Sequence, residues 1–136
     1  MKMANQAKGT FEVKVKPLPS DEKVEGLTVG RMSIEKQLKG DLEGTSKGEM
    51  TTVGTSVPGS AGYVAVEQVT GTLAGRSGSF VLLHQGTIKG EVFDLAIIVV
   101  PDSGTGQLEG LAGTMTIIIT QGKHSYELDY TLPSAP

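Results

Sequence analysis

The sequence predicts an all-β fold, an eight-stranded antiparallel up-and-down β-barrel, from three observations. Apolar and polar residues alternate with a period of two along much of the chain, as in strands with one buried face. The 19 glycines of the 136 residues are scattered between β-branched runs, which is typical of turns between strands. A G-x-L-x-G motif also recurs at starts 40, 71 and 106.

The strands follow from the alternation and from the turn residues between them. One face of 11–15 is apolar and the other is charged, and 124–132 shows the same pattern. We predict strands over about 9–16, 28–38, 41–52, 61–73, 78–88, 91–100, 107–120 and 123–132. We expect one domain over residues 1–136, with a flexible N-terminal segment over residues 1–8.

The repeated motif indicates which end of the barrel is closed. Its three copies fall at the joints between strands 2 and 3, 4 and 5, and 6 and 7, which lie at one end of a meander. Glycine permits sharp bends there, and we expect Leu42, Leu73 and Leu108 to plug that end. The loops at 17–27 and 53–60 then surround an open mouth. The alternative is a chance recurrence in a glycine-rich chain.

Composition excludes several classes of function. The formal net charge is −3 and no basic patch is present, which argues against nucleic-acid binding. The absence of cysteine excludes disulfides, thiolate zinc sites and cysteine nucleophiles. The longest apolar run, at 95–100, is too short to cross a membrane, and the N-terminus does not resemble a secretory signal. We therefore expect a soluble, cytoplasmic protein.

Five segments together resemble a bacterial family of domains of unknown function. They are KQLKGDLEG at 36–44, GYVAVE at 62–67, GRSGSFVLLH at 75–84, VPDSGTG at 100–106 and GKHSY at 122–126. The resemblance implies the allene oxide cyclase-like barrel, which plant allene oxide cyclases and dirigent proteins share. It implies no activity, and no active-site residue of the plant enzymes is carried over.

The alternation places a few polar side chains on inner, apolar faces. Glu67, His84 and His124 are candidate catalytic residues, because a carboxylate beside a histidine can move protons near neutral pH. We expect them to converge with Tyr63 beneath the mouth. Counting back from the turn near residue 75 places Glu67 opposite about residue 83, next to His84. The alternative is that each is a satisfied core residue.

Other inner residues are candidates for ligand binding, namely Tyr63, Phe80, Tyr126 and Tyr130, with Lys36 as a weaker candidate. The tyrosines can equally be core aromatics with satisfied hydroxyls. We expect Lys36 near the closed end, where it can extend past the leucines or pair with Glu43 or Glu109.

No local metal motif is present, since the two histidines lie 40 residues apart and no HExxH occurs. No glycine-rich loop precedes a helix. We therefore expect neither a metal nor a cofactor.

Three functions remain open from the sequence. The first is a barrel that binds a small molecule of apolar or mixed polarity. The second is an isomerase or cyclase that uses the interior Glu and His residues, so whether the protein is an enzyme stays open. The third is a structural or assembly protein whose barrel is filled by side chains.

Self-association is also expected. Strands 91–100 and 107–120 carry apolar runs that must place side chains on both faces, and sequential strands should pair into one outer apolar patch. We expect a homo-oligomer, most simply a dimer. The alternative is that the 17–27 loop or a terminus covers the patch.

Overall fold

The computed structural model describes residues 2–19 and 25–133, and these form a closed antiparallel barrel with strands in sequence order. The predicted eight-stranded barrel is confirmed, and the allene oxide cyclase-like architecture fits it. Its elements are β1 (Lys2–Leu18), β2 (Thr28–Gly40), β3 (Leu42–Gly54), β4 (Ser60–Leu73), β5 (Arg76–Lys89), β6 (Val92–Val99), a 3-10 turn (Gly106–Leu108), β7 (Ala112–Thr120) and β8 (Lys123–Pro133). Within these residues no helix has the length and apolar character to cross a membrane.

Strand β1 closes the barrel by pairing with two different neighbours. Its first part pairs with β8 from Lys2 to Phe11, and its second part pairs with β2 from Gly9 to Leu18. We expected residues 1–8 to be flexible, whereas residues 2–8 pair with β8 through the backbone. The polar composition of this segment gave no sign of a strand, although the side chain of Ala7 is buried in the core. Of the predicted loop at 17–27, residues 20–24 lie outside the described residues.

The end that carries the G-x-L-x-G motifs is closed, as predicted. Leu42, Leu73 and Leu108 each have no exposed surface. We call this the closed end, and the opposite end, where β3 meets β4 and β5 meets β6, the open end.

The third copy of the motif departs from the predicted strand. Strand β7 begins at Ala112 rather than at about residue 107, because Gly106–Leu108 forms a 3-10 turn. Ahead of that turn, Thr105 donates its amide to the carbonyl of Ser79 on β5 at 2.8 Å. The segment therefore covers the edge of β5 that β6 leaves free.

A tyrosine hydroxyl secures the turn between β2 and β3 at the closed end. The hydroxyl of Tyr126 accepts the amide of Leu42 at 2.9 Å and lies 2.8 Å from the carbonyl oxygen of the same residue. Gly9 lies against this ring, and a side chain at that position would collide with the Tyr126 hydroxyl and the carbonyl of Lys39. The glycine therefore allows β1 to pass directly over the tyrosine.

The two halves of the barrel are filled differently. The closed half is packed with apolar side chains, including Phe80, Leu82, Leu111 and Leu128, all fully buried. Toward the open end the inner face stays apolar but becomes exposed. Its members there include Val15, Phe93, Leu95 and Ile119, which alternate with outward residues and are 38–64% exposed. The open half therefore keeps unfilled space, where a cavity of about 340 Å³ opens at the rim.

The wall between β6 and β7 is the least complete part of the barrel. We expected these strands to pair along their length, but they pair only at Ile97–Met115 and Ile98–Thr114. The predicted outer patch shared by β6 and β7 is therefore wrong, although Ile98 and Ile118 do face outward. The contiguous outer apolar row instead crosses β4, β5 and β6 through Val66, Leu83 and Ile98.

Replacing Leu42, Leu73 or Leu108 with Ala should lower the free energy of unfolding by about 2–5 kcal/mol, because each leaves a cavity in the closed end. Val57→Ala is the matched control, since Val57 is 60% exposed, and it should change little. Urea unfolding followed by circular dichroism measures both. Three near-neutral leucine variants would contradict the account of the closed end.

Candidate functional site

A buried carboxylate lies at mid-height on the inner face of the barrel. Glu67 on β4 is 1% exposed, and its Oε1 accepts a hydrogen bond from the Ser46 hydroxyl at 2.5 Å and forms an ion pair with Lys36 Nζ at 3.1 Å. Its Oε2 lies 2.7 Å from Nε2 of His84 and 3.2 Å from Lys36 Nζ. Four consecutive strands, β2 to β5, therefore each contribute one residue to this group, which we call the Glu67 cluster.

The strand register explains why these residues meet. Lys36 is opposite Ser46, Glu67 is opposite Gly48, and His84 is opposite Ala65. Lys36 and Ser46 are thus directly opposite. Ser46 and Glu67, and likewise Glu67 and His84, are offset by two residues, within reach of long side chains. Gly48 lets β3 approach Glu67, because a Cβ there would lie 2.8 Å from the Glu67 Cα.

The predicted contact between Glu67 and His84 is confirmed, and the register differs by one residue from the predicted position of about 83. Glu67 is opposite Leu82 rather than residue 83. The turn is a two-residue one, with positive φ of 49° at Ala74 and 85° at Gly75. This turn keeps Glu67 and His84 on the same inner face as diagonal neighbours.

The cluster keeps Glu67 ionised. Burial alone would raise the pKa of Glu67, but the hydrogen bond from His84, the charge of Lys36 and the hydrogen bond from Ser46 together lower it to about 2. An ionised carboxylate can only accept hydrogen bonds, so Nε2 of His84 carries the hydrogen of the shared bond. The carboxylate thereby fixes the orientation of the imidazole ring.

The second ring nitrogen of His84 is available to a ligand. Among the described residues Nδ1 has no hydrogen-bond partner, and yet no buried side-chain nitrogen or oxygen of these residues is left unsatisfied. Nδ1 is therefore not completely buried, although His84 as a residue is only 4% exposed and faces the barrel interior. Because Nε2 carries the hydrogen, Nδ1 can accept a hydrogen bond from a molecule in that interior.

Tyr63 lies beside His84 toward the open end. Their ring centroids are 6.4 Å apart. Gly86, opposite Tyr63, makes room for the phenol ring, since a Cβ at residue 86 would collide with it. Burial, and next the negative charge of Glu67, raise the pKa of Tyr63, which keeps its hydroxyl protonated and able to donate. Tyr63 also lines a cavity of about 340 Å³ that Ile88 and Phe93 extend to the rim.

Lys36 is not near the closed end, where the sequence placed it. It belongs to the Glu67 cluster and pairs with neither Glu43 nor Glu109. Its Nζ also lies 4.8 Å from the centroid of the Phe11 ring. The stagger between strands, which a linear sequence does not show, raises Lys36 to the level of Ser46 and Glu67.

His124 does not join the Glu67 cluster, contrary to the expected convergence. It is half-buried, and its ring packs on Phe11 with centroids 5.3 Å apart. It also lines a groove of about 550 Å³ that includes residues from both faces of β1 and the turn at Gln121 and Gly122. The barrel circumference separates β8 from β4 and β5, so inward direction alone did not imply contact.

The other aromatic candidates are core residues of the closed half. Phe80, Tyr126 and Tyr130 are buried in the main apolar cluster, and the Tyr126 hydroxyl is hydrogen-bonded to the backbone.

Ser46 was missed by the sequence analysis. The sequence feature that could have identified Ser46 is its position on the inner face of β3, two residues from both Gly44 and Gly48. Serine is too common in strands for that position alone to indicate a functional residue. The described residues contain no group of three or more metal-ligating side chains.

Comparisons with known proteins agree with the fold and name no activity. Residues 7–130 match the family described as "Protein of unknown function (DUF3224)". The crystal structure of a protein of unknown function from the same family, from Shewanella oneidensis MR-1, is 46% identical to this chain. It superposes with a TM-score of 0.92 and covers 98% of this chain and 100% of its own. No curated protein matches.

Glu67→Gln should lower the free energy of unfolding at pH 7 by about 3–5 kcal/mol, because it leaves the buried Lys36 without a counter-charge. Adding Lys36→Met to that variant should recover part of the loss, with a coupling of about 1–3 kcal/mol. Glu49→Gln is the control, since Glu49 pairs with Arg31 at the surface at 3.0 Å and should contribute less than about 1 kcal/mol. Strictly additive effects of the Lys36 and Glu67 changes would contradict the cluster.

Acid should remove the stability that Glu67 provides. Its folded pKa of about 2 lies below the ordinary 4.5, so the contribution is complete above pH 4.5 and is lost as the pH falls toward 2. The difference in unfolding free energy between the native protein and Glu67→Gln should therefore shrink from pH 4.5 to pH 2. Urea titrations at several pH values test this, and a difference that stays constant would show that Glu67 is not held ionised.

Proposed function

The chain belongs to the DUF3224 family, whose function is unknown, and we propose that its barrel binds a small molecule in the open half. The ligand has an apolar body and a polar end, and the polar end hydrogen-bonds to Nδ1 of His84 and to the Tyr63 hydroxyl. We also propose that the protein is cytoplasmic. Because the sequence contains no cysteine, it has no disulfide that would need an oxidising compartment.

One observation carries this proposal: the imidazole of His84, oriented by a buried carboxylate, lies beside Tyr63, which lines the cavity at the open end. Charged groups are rarely buried without a purpose, because removing Glu67, Lys36 and His84 from water is costly. An apolar core at that height would serve stability equally well. The cluster is therefore better explained by what it presents at Nδ1.

The cavity has the properties of a ligand site. Its volume of about 340 Å³ lies in the range of small-molecule pockets, and its lining combines apolar side chains with a few polar groups. Phe93, an inner residue at the rim, is 60% exposed on the free protein. A ligand with an apolar body would remove this surface from water, at about 25 cal/mol per Å².

A second candidate function is acid–base catalysis, of the kind used by isomerases and cyclases. It is favoured by the 2.7 Å contact between Glu67 and His84, which leaves Nδ1 free to take a proton from a bound molecule. His124 makes no described contact with these residues, so this candidate is limited to the pair. The two candidates share one site and differ in whether the bound molecule is changed.

We further propose that the protein self-associates, most simply as a dimer. The support is the outer row of Val66, Leu83 and Ile98 on three adjacent strands, each 39–54% exposed. Apolar residues that are contiguous across strands are a feature of interfaces rather than of monomer surfaces.

Binding can be tested with 1-octanol and the protein labelled with ¹⁵N at its two histidines. The imidazole signals of His84 should shift on titration, whereas those of His124 should not. His84→Gln, which keeps a donor for Glu67 but loses the available nitrogen, should weaken binding about tenfold. His124→Gln is the matched control. Equal shifts at both histidines, or none, would contradict the proposed site.

Self-association can be tested by light scattering at micromolar concentration. We expect a mass of at least two chains of 14.2 kDa each, and Leu83→Lys should give a folded species of about one chain. Thr45→Lys introduces the same charge on the outer face of β3 and should leave the mass unchanged. A mass of one chain for the native protein would refute the proposal.

A further inference from the structure

The hydrogen-bonding groups of His84 and Tyr63 differ in the ligand group that they require. Nε2 of His84 carries the hydrogen of the 2.7 Å contact with Glu67, so Nδ1 can only accept a hydrogen bond. The phenol of Tyr63 is protonated at neutral pH and can donate one. Among the described residues nothing forms a hydrogen bond with this hydroxyl, and Tyr63 is only partly buried. A ligand that satisfies both side chains therefore supplies a donor to one and an acceptor to the other.

Nδ1 of His84 disfavours ligand ends that have no hydrogen to donate. A carboxylate, a ketone or an ether would leave this nitrogen unpaired in the barrel interior, and an unpaired acceptor beside a bound molecule is costly. A hydroxyl has both capacities at a single oxygen, because it donates its hydrogen and accepts through its lone pairs. It can therefore donate to His84 and accept from Tyr63 at the same time.

The lining of the adjoining cavity disfavours a charged ligand. The residues that line it, on β2 to β6, are all uncharged. An ammonium group could donate to Nδ1, but both carboxylate oxygens of Glu67 are already in contact with Ser46, Lys36 and His84. It would therefore leave water without a free group of opposite charge, which is costly. An uncharged donor avoids this cost.

One wall of the cavity contains a glycine that the fold does not require. Gly54, the last residue of β3, is paired with Thr28 of β2 and Ala61 of β4. Alternation from the buried Ser46 turns this position inward. A Cβ at Gly54 would lie 3.8 Å from the Thr28 Cβ, which is an ordinary contact, and the backbone there has no positive φ. The effect of the missing side chain is therefore to leave space in the cavity.

We infer that the ligand is an uncharged alcohol, whose hydroxyl donates to Nδ1 of His84 and accepts from Tyr63, and whose apolar body fills the cavity against Gly54. This inference rests on the proposed binding function and adds the chemical class of the ligand and the residue that makes room for it. A larger side chain at position 54 would compete with the ligand for the same space.

The chemical class is tested with 2-octanol, 2-octanone, octanoate and octylamine at pH 7, followed through the His84 imidazole signals of the wild-type protein. 2-Octanol should bind at least about tenfold more tightly than 2-octanone, which has the same skeleton but no hydrogen to donate. It should exceed the two charged compounds by a similar factor. A ketone or a charged compound that binds as tightly as 2-octanol would overturn the inference and leave the proposed function intact. Failure of all four compounds to bind would refute the proposed function itself.

The position of the apolar body is tested with Gly54→Val. Its affinity for 2-octanol should fall at least about tenfold, because the added methyl groups occupy the space of the ligand. Its urea midpoint of unfolding should not fall, because a β-branched residue suits a strand better than glycine does.

Gly62→Val on β4 is the matched control for Gly54→Val. Gly62 also has no positive φ, and a Cβ there would lie 3.5 Å from the carbonyl oxygen of Gly86, but alternation from the buried Ala65 turns it outward. This variant should bind 2-octanol within about twofold of the wild-type affinity. Equal affinities of the two variants would overturn the inference.

A measurement on the wild-type protein makes the test independent of either variant. Nuclear Overhauser effects should connect the alkyl protons of bound 2-octanol with the α-protons of Gly54, the methyl group of Ala61 and the ring of Phe93, which line the cavity. Contacts with Phe93 but with neither Gly54 nor Ala61 would overturn the inference and leave the proposed site intact. Contacts confined to the groove beside His124 would refute both.

Discussion

The interior of this barrel depends on the requirement that a buried carboxylate be supplied with hydrogen-bond donors. Glu67 receives them from Lys36, Ser46 and His84, on three other strands. Each donor must reach the same height, so the requirement restricts the stagger of β2 to β5 as strictly as apolar packing does. The cluster also lies at the boundary between the packed closed half and the open half. It places an ionised carboxylate and its hydrogen-bond donors at that boundary.

This division explains how one small domain can hold a packed core and still keep unfilled interior space. The leucines of the G-x-L-x-G motifs and the Tyr126 hydroxyl hold the closed end, where three strand connections meet. The open half leaves apolar surface exposed, and there β6 pairs with β7 at only two positions. A rigid carboxylate–histidine pair next to such a space is suited to orienting one polar group of a bound molecule.

Much of the fold and part of the site could be predicted from the sequence. The alternation of apolar and polar residues correctly predicted that Glu67, His84 and Lys36 face inward, and the repeated motif identified the closed end. The level of Lys36 was not predictable, because strand stagger is a property of the closed barrel. His124 is inward-directed yet separated from Glu67 by the circumference. The short pairing of β6 with β7 depends on how 100–111 folds under the closed end, which no local pattern reveals.

The central claim is that the available nitrogen of His84 marks the ligand site. A crystal structure of the protein grown with 1-octanol tests it most directly. The account predicts the alcohol hydroxyl within hydrogen-bond distance of His84 Nδ1 and the Tyr63 hydroxyl, with the Glu67–Nε2 contact of 2.7 Å retained. 1-Octanol bound only on the outer face, or in the groove beside His124, would contradict the account.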